Sequence, residues 1–165
     1  MTRDIPGNVL FDTNLLIVHY RNQPARMNRV APYSHVFFRY PRHYICAVTT
    51  VELLVGGNTH AQKREFASLA DKYYRLGRVV TPLYQDYALL GDILQRLKSL
   101  PNPPDINQRS IVFDVLIALG ARQINATVLT ENRQDFFLIK EAMRRDLDFK
   151  LVIIQRTTGT LEEIN

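Results

Sequence analysis

IVFDVLIALGA, residues 111–121, is apolar at every position but one, and the exception is Asp114. At helical period the run is hydrophobic all round, which predicts a central, buried helix rather than one with a wet face. An ionised group buried without a partner costs on the order of several kcal/mol even after relaxation. Asp114 must therefore be paired, protonated, bound to a metal or placed at an open helix end.

Working outward from this helix, the chain alternates between two periods. On the carboxyl side a strand is expected at 126–130, ATVLT, leaving through Glu131, Asn132, Arg133, Gln134 and Asp135. A helix from about 136 to 145 and a strand at 149–154 follow. On the amino side Pro101, Pro103 and Pro104 force a loop, and Tyr87, Leu90, Leu94 and Leu97 share one face of a helix. Farther back, strands are expected at 9–11, 44–48 and 78–82. Between them lie a helix opening at Leu15 behind a Thr13 or Asn14 cap, and a short one from Thr49 ended by Gly56 and Gly57. A longer helix from His60 carries Phe66, Leu69, Tyr73 and Leu76. Five short apolar strands separated by helices predict an α/β domain whose central parallel sheet is covered on both faces. The domain is expected to span 1–155, with a polar C-terminal tail at 156–165.

The 165 residues suit one domain, and 21 Lys and Arg against 16 Asp and Glu give a formal charge of +5. Most of the cations are Arg, which suits a polyanionic partner such as RNA or an acidic protein. Cys46, lying between Ile45 and Ala47, cannot form an internal disulfide and reads as a small buried hydrophobe. No apolar run approaches the roughly 18 residues of a membrane span, and MTRDIPGN lacks the hydrophobic stretch of a secretion signal. A soluble, cytoplasmic protein is expected. Segment 26–42 interleaves Arg26, Arg29, Arg39 and Arg42 with Tyr33, Phe37, Phe38 and Tyr40. It suits an RNA-facing surface or, better for the aromatics, an amphipathic helix with its rings turned inward.

In an open α/β sheet, ligands sit beyond the carboxyl ends of the strands. Asp12 closes the first strand, Glu52 lies just past the second, Asp135 just past the fourth, and Asp114 early in the helix before it. Four converging carboxylates repel one another and are tolerable chiefly when a hard cation lies between them. Oxygen ligands without His or Cys favour Mg²⁺ or Mn²⁺ over Zn²⁺. Capping offers a plainer account of each acid in turn. Thr49-x-x-Glu52 matches a capping box, Asn132-x-x-Asp135 a weaker one, and Asp12 could complement a helix N-terminus. Capping serves Asp114 poorly, and the set of four carries the inference.

These residues resemble the motifs of the PIN-domain ribonucleases, most closely the VapC-type toxins of toxin–antitoxin pairs. Asp12-Thr13-Asn14 after an apolar strand is similar to the first motif, and Thr50-x-Glu52 followed by Gly56 to the second. Asp114-x-x-Ile117-Ala118 resembles the third, and Thr130-x-Asn132-x-x-Asp135-Phe136 the fourth. The resemblance implies a PIN-like three-layer fold and metal-dependent endonucleolytic hydrolysis of RNA. It assigns Asp12, Glu52, Asp114 and Asp135 to catalysis through one or two Mg²⁺ or Mn²⁺ ions, with Asn14, Thr130 and Asn132 orienting ligands or waters. It also implies a homodimer and a small antitoxin partner. Arg122 and Arg133, near the expected rim, could offset substrate phosphate charge, and Glu131 either supports the metal or faces water. Three rival functions remain at this point. One is a non-catalytic RNA- or protein-binding module, and another an RNA-processing nuclease that is not a toxin. The third is a phosphoryl-transfer or phosphoacceptor domain, disfavoured because Asn14 occupies the place of a second aspartate.

Overall fold

Among the described residues six short runs form the strands, five of them apolar, and the helices between them bury one face each except that at 109–123, which is buried nearly all round. The computed structural model describes residues 7–21, 33–143, 147–155 and 160–164. In chain order these give β1 (Asn8–Phe11), α1 (Thr13–Arg21), α2 (Ser34–Arg39), β2 (Ile45–Cys46), α3 (Ala47–Gly56) and α4 (His60–Arg75). β3 (Val79–Val80), α5 (Tyr84–Lys98), α6 (Arg109–Gln123), β4 (Ala126–Thr130), α7 (Arg133–Ala142), β5 (Lys150–Ile154) and β6 (Leu161–Ile164) follow.

The expected five strands all form, but they do not make one sheet. β1, β4, β5 and β6 build a four-stranded sheet in that order, and β2 and β3 pair separately as a parallel ribbon. The two are joined at one place: Leu10 bridges to Tyr44, with Phe11 N–H on the Tyr44 carbonyl at 2.9 Å and Tyr44 N–H on the Val9 carbonyl at 2.8 Å. Across this join the strands run β3-β2-β1-β4-β5-β6. The chain winds outward from β1 to β3, then returns to β1's other side. That reversal opens a crevice between the carboxyl ends of β1 and β4.

The sixth strand corrects the expected polar tail. Leu161–Ile164 pairs antiparallel with β5, Ile154 opposite Leu161 and Leu151 opposite Ile164. The tail looked polar because Glu162 and Glu163 stand side by side in it; on the edge strand they point to opposite faces, Glu163 exposed and Glu162 half-buried against Arg133. The second expected strand is shorter than the sequence suggested, since the chain turns helical at Ala47. Val48, Thr49 and Leu53 are buried at helical spacing, and this tertiary pattern overrides the β preference of Val48. Gly57 ends α3 in a close turn, where a Cβ would stand 2.9 Å from the Lys63 backbone nitrogen.

The helix around residues 111–121 is the central one, as expected. From Val115 to Ala121 every residue of α6 is buried, packed with α5 and α7 against Leu10, Val128, Leu151 and Ile153 of the sheet. The opposite face carries Val9, Phe11, Leu129, Val152 and Ile154, covered by Leu15 of α1 and by Tyr33, Val36 and Tyr40 around α2. Three layers result. In the Arg- and aromatic-rich segment, Tyr33 and Tyr40 are buried and Phe37 is half-buried, so the inward reading holds for them, whereas Phe38 points to solvent. Arg26 and Arg29 lie outside the described residues. Cys46 is buried, and burial pushes its thiol up to about 11, in keeping with a packing role. No described helix is long and apolar enough to cross a membrane.

Candidate active site

The crevice between β1 and β4 is where the carboxylates gather. β1 ends at Phe11, and Asp12, the next residue, is held on Leu129 of β4 by its backbone N–H at 3.0 Å. Its side chain is buried between the two strands. Oδ1 accepts the Thr13 backbone N–H at 2.6 Å, and Oδ2 accepts the Thr130 hydroxyl at 2.6 Å. Thr13 is the first residue of α1 and not its cap. Its Oγ1 donates to Glu52 Oε2 at 2.5 Å and lies 3.1 Å from the Thr49 hydroxyl.

Glu52 therefore turns toward α1, not toward the start of its own helix. Cys46 occupies the α3 cap position without a side-chain bond, so the capping box of Thr49 and Glu52 is not formed. The other half of the site is organised by Asn132. Its Oδ1 caps α7 by accepting the Asp135 backbone N–H at 3.3 Å. Its Nδ2 donates both to Asp135 Oδ2 at 2.8 Å and to Asp114 Oδ2 at 3.1 Å. Thr130 joins the halves, since its Oγ1 also accepts the Asn132 backbone N–H at 2.9 Å and lies 3.4 Å from Asn14 Nδ2. Asp12, Glu52, Asp114 and Asp135, with Asn14, Thr130 and Asn132, thus form one polar cluster drawn from five elements and the loops beside them.

The electrostatics are those of crowded acids. Burial first, then the charges of Glu52 and Glu131, push the Asp12 carboxyl up to about 7, against the hydrogen bonds from Thr130 and Thr13. Burial, with Asp12, Asp135 and Glu52 adding repulsion, pushes Asp114 up to about 9. Glu52 is raised by burial and relieved by the Thr13 bond and the Arg109 charge. Both aspartates bind a proton more tightly folded than unfolded. Their contribution to stability is complete below the ordinary carboxylate range and is lost as pH rises through these raised values. Asp114→Asn mimics the protonated acid. In EDTA its melting temperature is expected to match wild type near pH 4 and to exceed it by a margin growing up to about pH 9. Equal melting at the upper end would remove Asp114 from the crowded set.

The donor set fits a hard divalent cation. It is all oxygen, it carries more negative charge than its surroundings neutralise, and Asn14 Oδ1 is buried without a hydrogen-bond partner. Among the described residues no three acid, His or Cys side chains close around a single point as a finished metal centre. The Asn132 amide and the Thr13 and Thr130 hydroxyls occupy carboxylate oxygens that a cation would otherwise take.

Two structures share this architecture at 19% sequence identity. FitAB bound to an IR36 DNA fragment superposes with a TM-score of 0.59 over 87% of this chain and 94% of its own. FitAcB from Neisseria gonorrhoeae superposes with 0.55 over 79% and 92%. The fold is PIN-like. No protein-family model and no curated protein matches the sequence.

Within the PIN-like fold the two expected phosphate-binding arginines are placed differently. Arg122, in the last turn of α6, opens beside Asn125, Ala126 and Thr127, at the amino ends of the strands and away from the acids. Arg133 lies at the acidic rim, but it pairs with Glu162 of β6 at 2.6 Å. Glu131 receives the Tyr33 hydroxyl, and its charge acts on Asp12. Thr13 and Thr49 were legible only as caps, because their partners are distant in sequence. Nothing in the chain order marked Tyr33 as a neighbour of Glu131.

Proposed function

We propose that this chain is a metal-dependent endoribonuclease acting as the toxin of a type II toxin–antitoxin pair. The observation carrying the proposal is the gathering of Asp12, Glu52, Asp114 and Asp135 on one rim, with Asp12 and Asp114 each destabilised as anions by burial and by the neighbouring acids. Mg²⁺ or Mn²⁺ held by these four would supply an activated water and neutralise charge at the scissile phosphate. The chain's own groups do the positioning. Thr130 and the Thr13 amide fix Asp12, the Thr13 hydroxyl fixes Glu52, and Asn132 sets the spacing of Asp114 and Asp135. Asn14 Oδ1 offers a further oxygen to an ion or to its water. Hydrolysis by this route needs no protein nucleophile, and Cys46 is buried away from any substrate.

Purified protein is expected to cleave a mixed structured RNA pool with Mg²⁺ or Mn²⁺ and to lose that activity in EDTA. Cleavage persisting in EDTA would end the metal-dependent reading. The homodimer and the small antitoxin belong to the same proposal and rest on the motif resemblance. A second reading, a non-catalytic RNA- or protein-binding module, is favoured by one observation: no three described acids form a finished metal centre. It predicts RNA binding without turnover in any metal.

A further inference from the structure

An acidic rim repels a polyanion, so a nuclease built on one needs cations beside it to hold the strand. α6 supplies one in a place its own stability disfavours. Arg109 is the first residue of the helix, where exposed N–H groups already concentrate positive charge, so a cation there opposes the macrodipole. The preceding Gln108 makes no side-chain cap bond that Arg109 could support. Among the described residues Arg109 takes part in no ion pair; those pairs run Arg75–Asp71, Arg133–Glu162 and Lys140–Asp148. Its exposed side chain rests instead over the Phe113 ring, with 5.7 Å from guanidinium carbon to ring centroid. Phe113 immediately precedes Asp114. From this position the Arg109 charge reaches Glu52, across the contact between α6 and α3.

A guanidinium stacked over a ring keeps donors at its edge for a phosphate, whose geometry its planar fork matches. We propose that Arg109 is a substrate-binding residue that grips a phosphate of the RNA strand flanking the scissile one, on the Glu52 side of the crevice. The inference rests on the ribonuclease reading and replaces Arg122, which lies at the other end of the strands.

The test is anisotropy of a fluorescein-labelled single-stranded RNA oligonucleotide over a salt series, in an Asp114→Asn background that prevents cleavage. Adding Arg109→Ala is expected to weaken binding roughly tenfold at low salt and to reduce the slope of log K against log salt by about 0.7, the loss of one phosphate contact on a single strand. Arg109→Lys is expected to keep most of the slope while losing part of the affinity. With Asp114 restored, Arg109→Ala should raise KM with little change in kcat. Its melting temperature should stay close to wild type, because removal of an unfavourable helix charge is offset by loss of the Phe113 contact and of the charge that relieves Glu52. An unchanged slope and affinity would overturn the inference, as would a fall in kcat at constant KM, which would make Arg109 a partner of Glu52 alone. Binding is read without turnover, so failure of the nuclease reading shows separately, as wild-type protein that cleaves nothing in either metal.

Discussion

Asp114→Asn is expected to abolish RNA cleavage, by roughly 10³-fold or more, and to leave the fold intact. The substitution is nearly isosteric, and the new amide oxygen can still accept the Asn132 Nδ2 hydrogen bond now made at 3.1 Å. What it removes is the charge. In the metal-free protein burial holds the acid protonated up to about pH 9, and the amide needs no such proton, which is why stability is kept or gained. With the metal bound, the same loss takes away an anionic ligand and the charge balance that activates water. Single-turnover cleavage at saturating Mg²⁺, beside a melting curve, separates the two effects. A variant cleaving at the wild-type rate would take Asp114 out of the chemistry, and one that fails to fold would contradict its raised pKa.

The largest stability effect is expected at Phe11. It is fully buried at the end of β1, stacked on the His43 ring at 4.0 Å and meeting Phe37 edge-on at 5.0 Å. His43 is itself fixed. Its Nδ1 lies 2.6 Å from the Tyr40 carbonyl and so carries the proton, while Nε2 accepts the Tyr73 hydroxyl. Burial pushes this histidine down to about 4, keeping it neutral under Phe11 at physiological pH. Phe11→Ala opens a cavity against a ring that cannot follow, at about 3–5 kcal/mol. For a chain of this size the melting temperature should fall by roughly 6–20 °C. Denaturant unfolding checks it, and a loss below about 1 kcal/mol would mean the ring stack collapses readily onto the space. The bonds holding Asp12 to Leu129, Thr13 and Thr130 are independent of the Phe11 ring, so the folded fraction should keep its activity when assayed cold.

α6 could be read from sequence because an apolar run around a lone carboxylate is a one-dimensional signal, and burial of the run follows from it directly. Asp12, Glu52 and Asp135 were legible for a related reason: each follows an apolar strand, Asp12 at once and Glu52 and Asp135 within the helix that comes next. What lay beyond reach was anything set by a partner distant in the chain. Thr49 and Glu52 fit a local capping box, and only the fold brings Thr13 to Glu52, 39 positions earlier. Arg122 was misplaced because a helix carries its residues along its axis. Eight positions past Asp114 is about 12 Å, enough to move from one end of the strands toward the other. β6 was missed because an edge strand with two glutamates has too little apolar alternation to stand out from a tail.

The return of the chain to β1's far side also governs when the cleft can exist. Asp12 and Thr130 are 118 positions apart, and their bond closes the crevice. Such non-local pairing is slow, because the intervening loop must be ordered before the contact repays it. As the chain emerges from the ribosome, β1 finds β2 early but waits for β4. Until residue 130 has been made, Asp12 lies on an open strand edge, and the acids of the first half have no counterpart. A nascent or truncated chain ending before β4 therefore carries Asp12, Glu52 and Asp114 but lacks Thr130, Asn132 and Asp135, and has no cleft in which to use them.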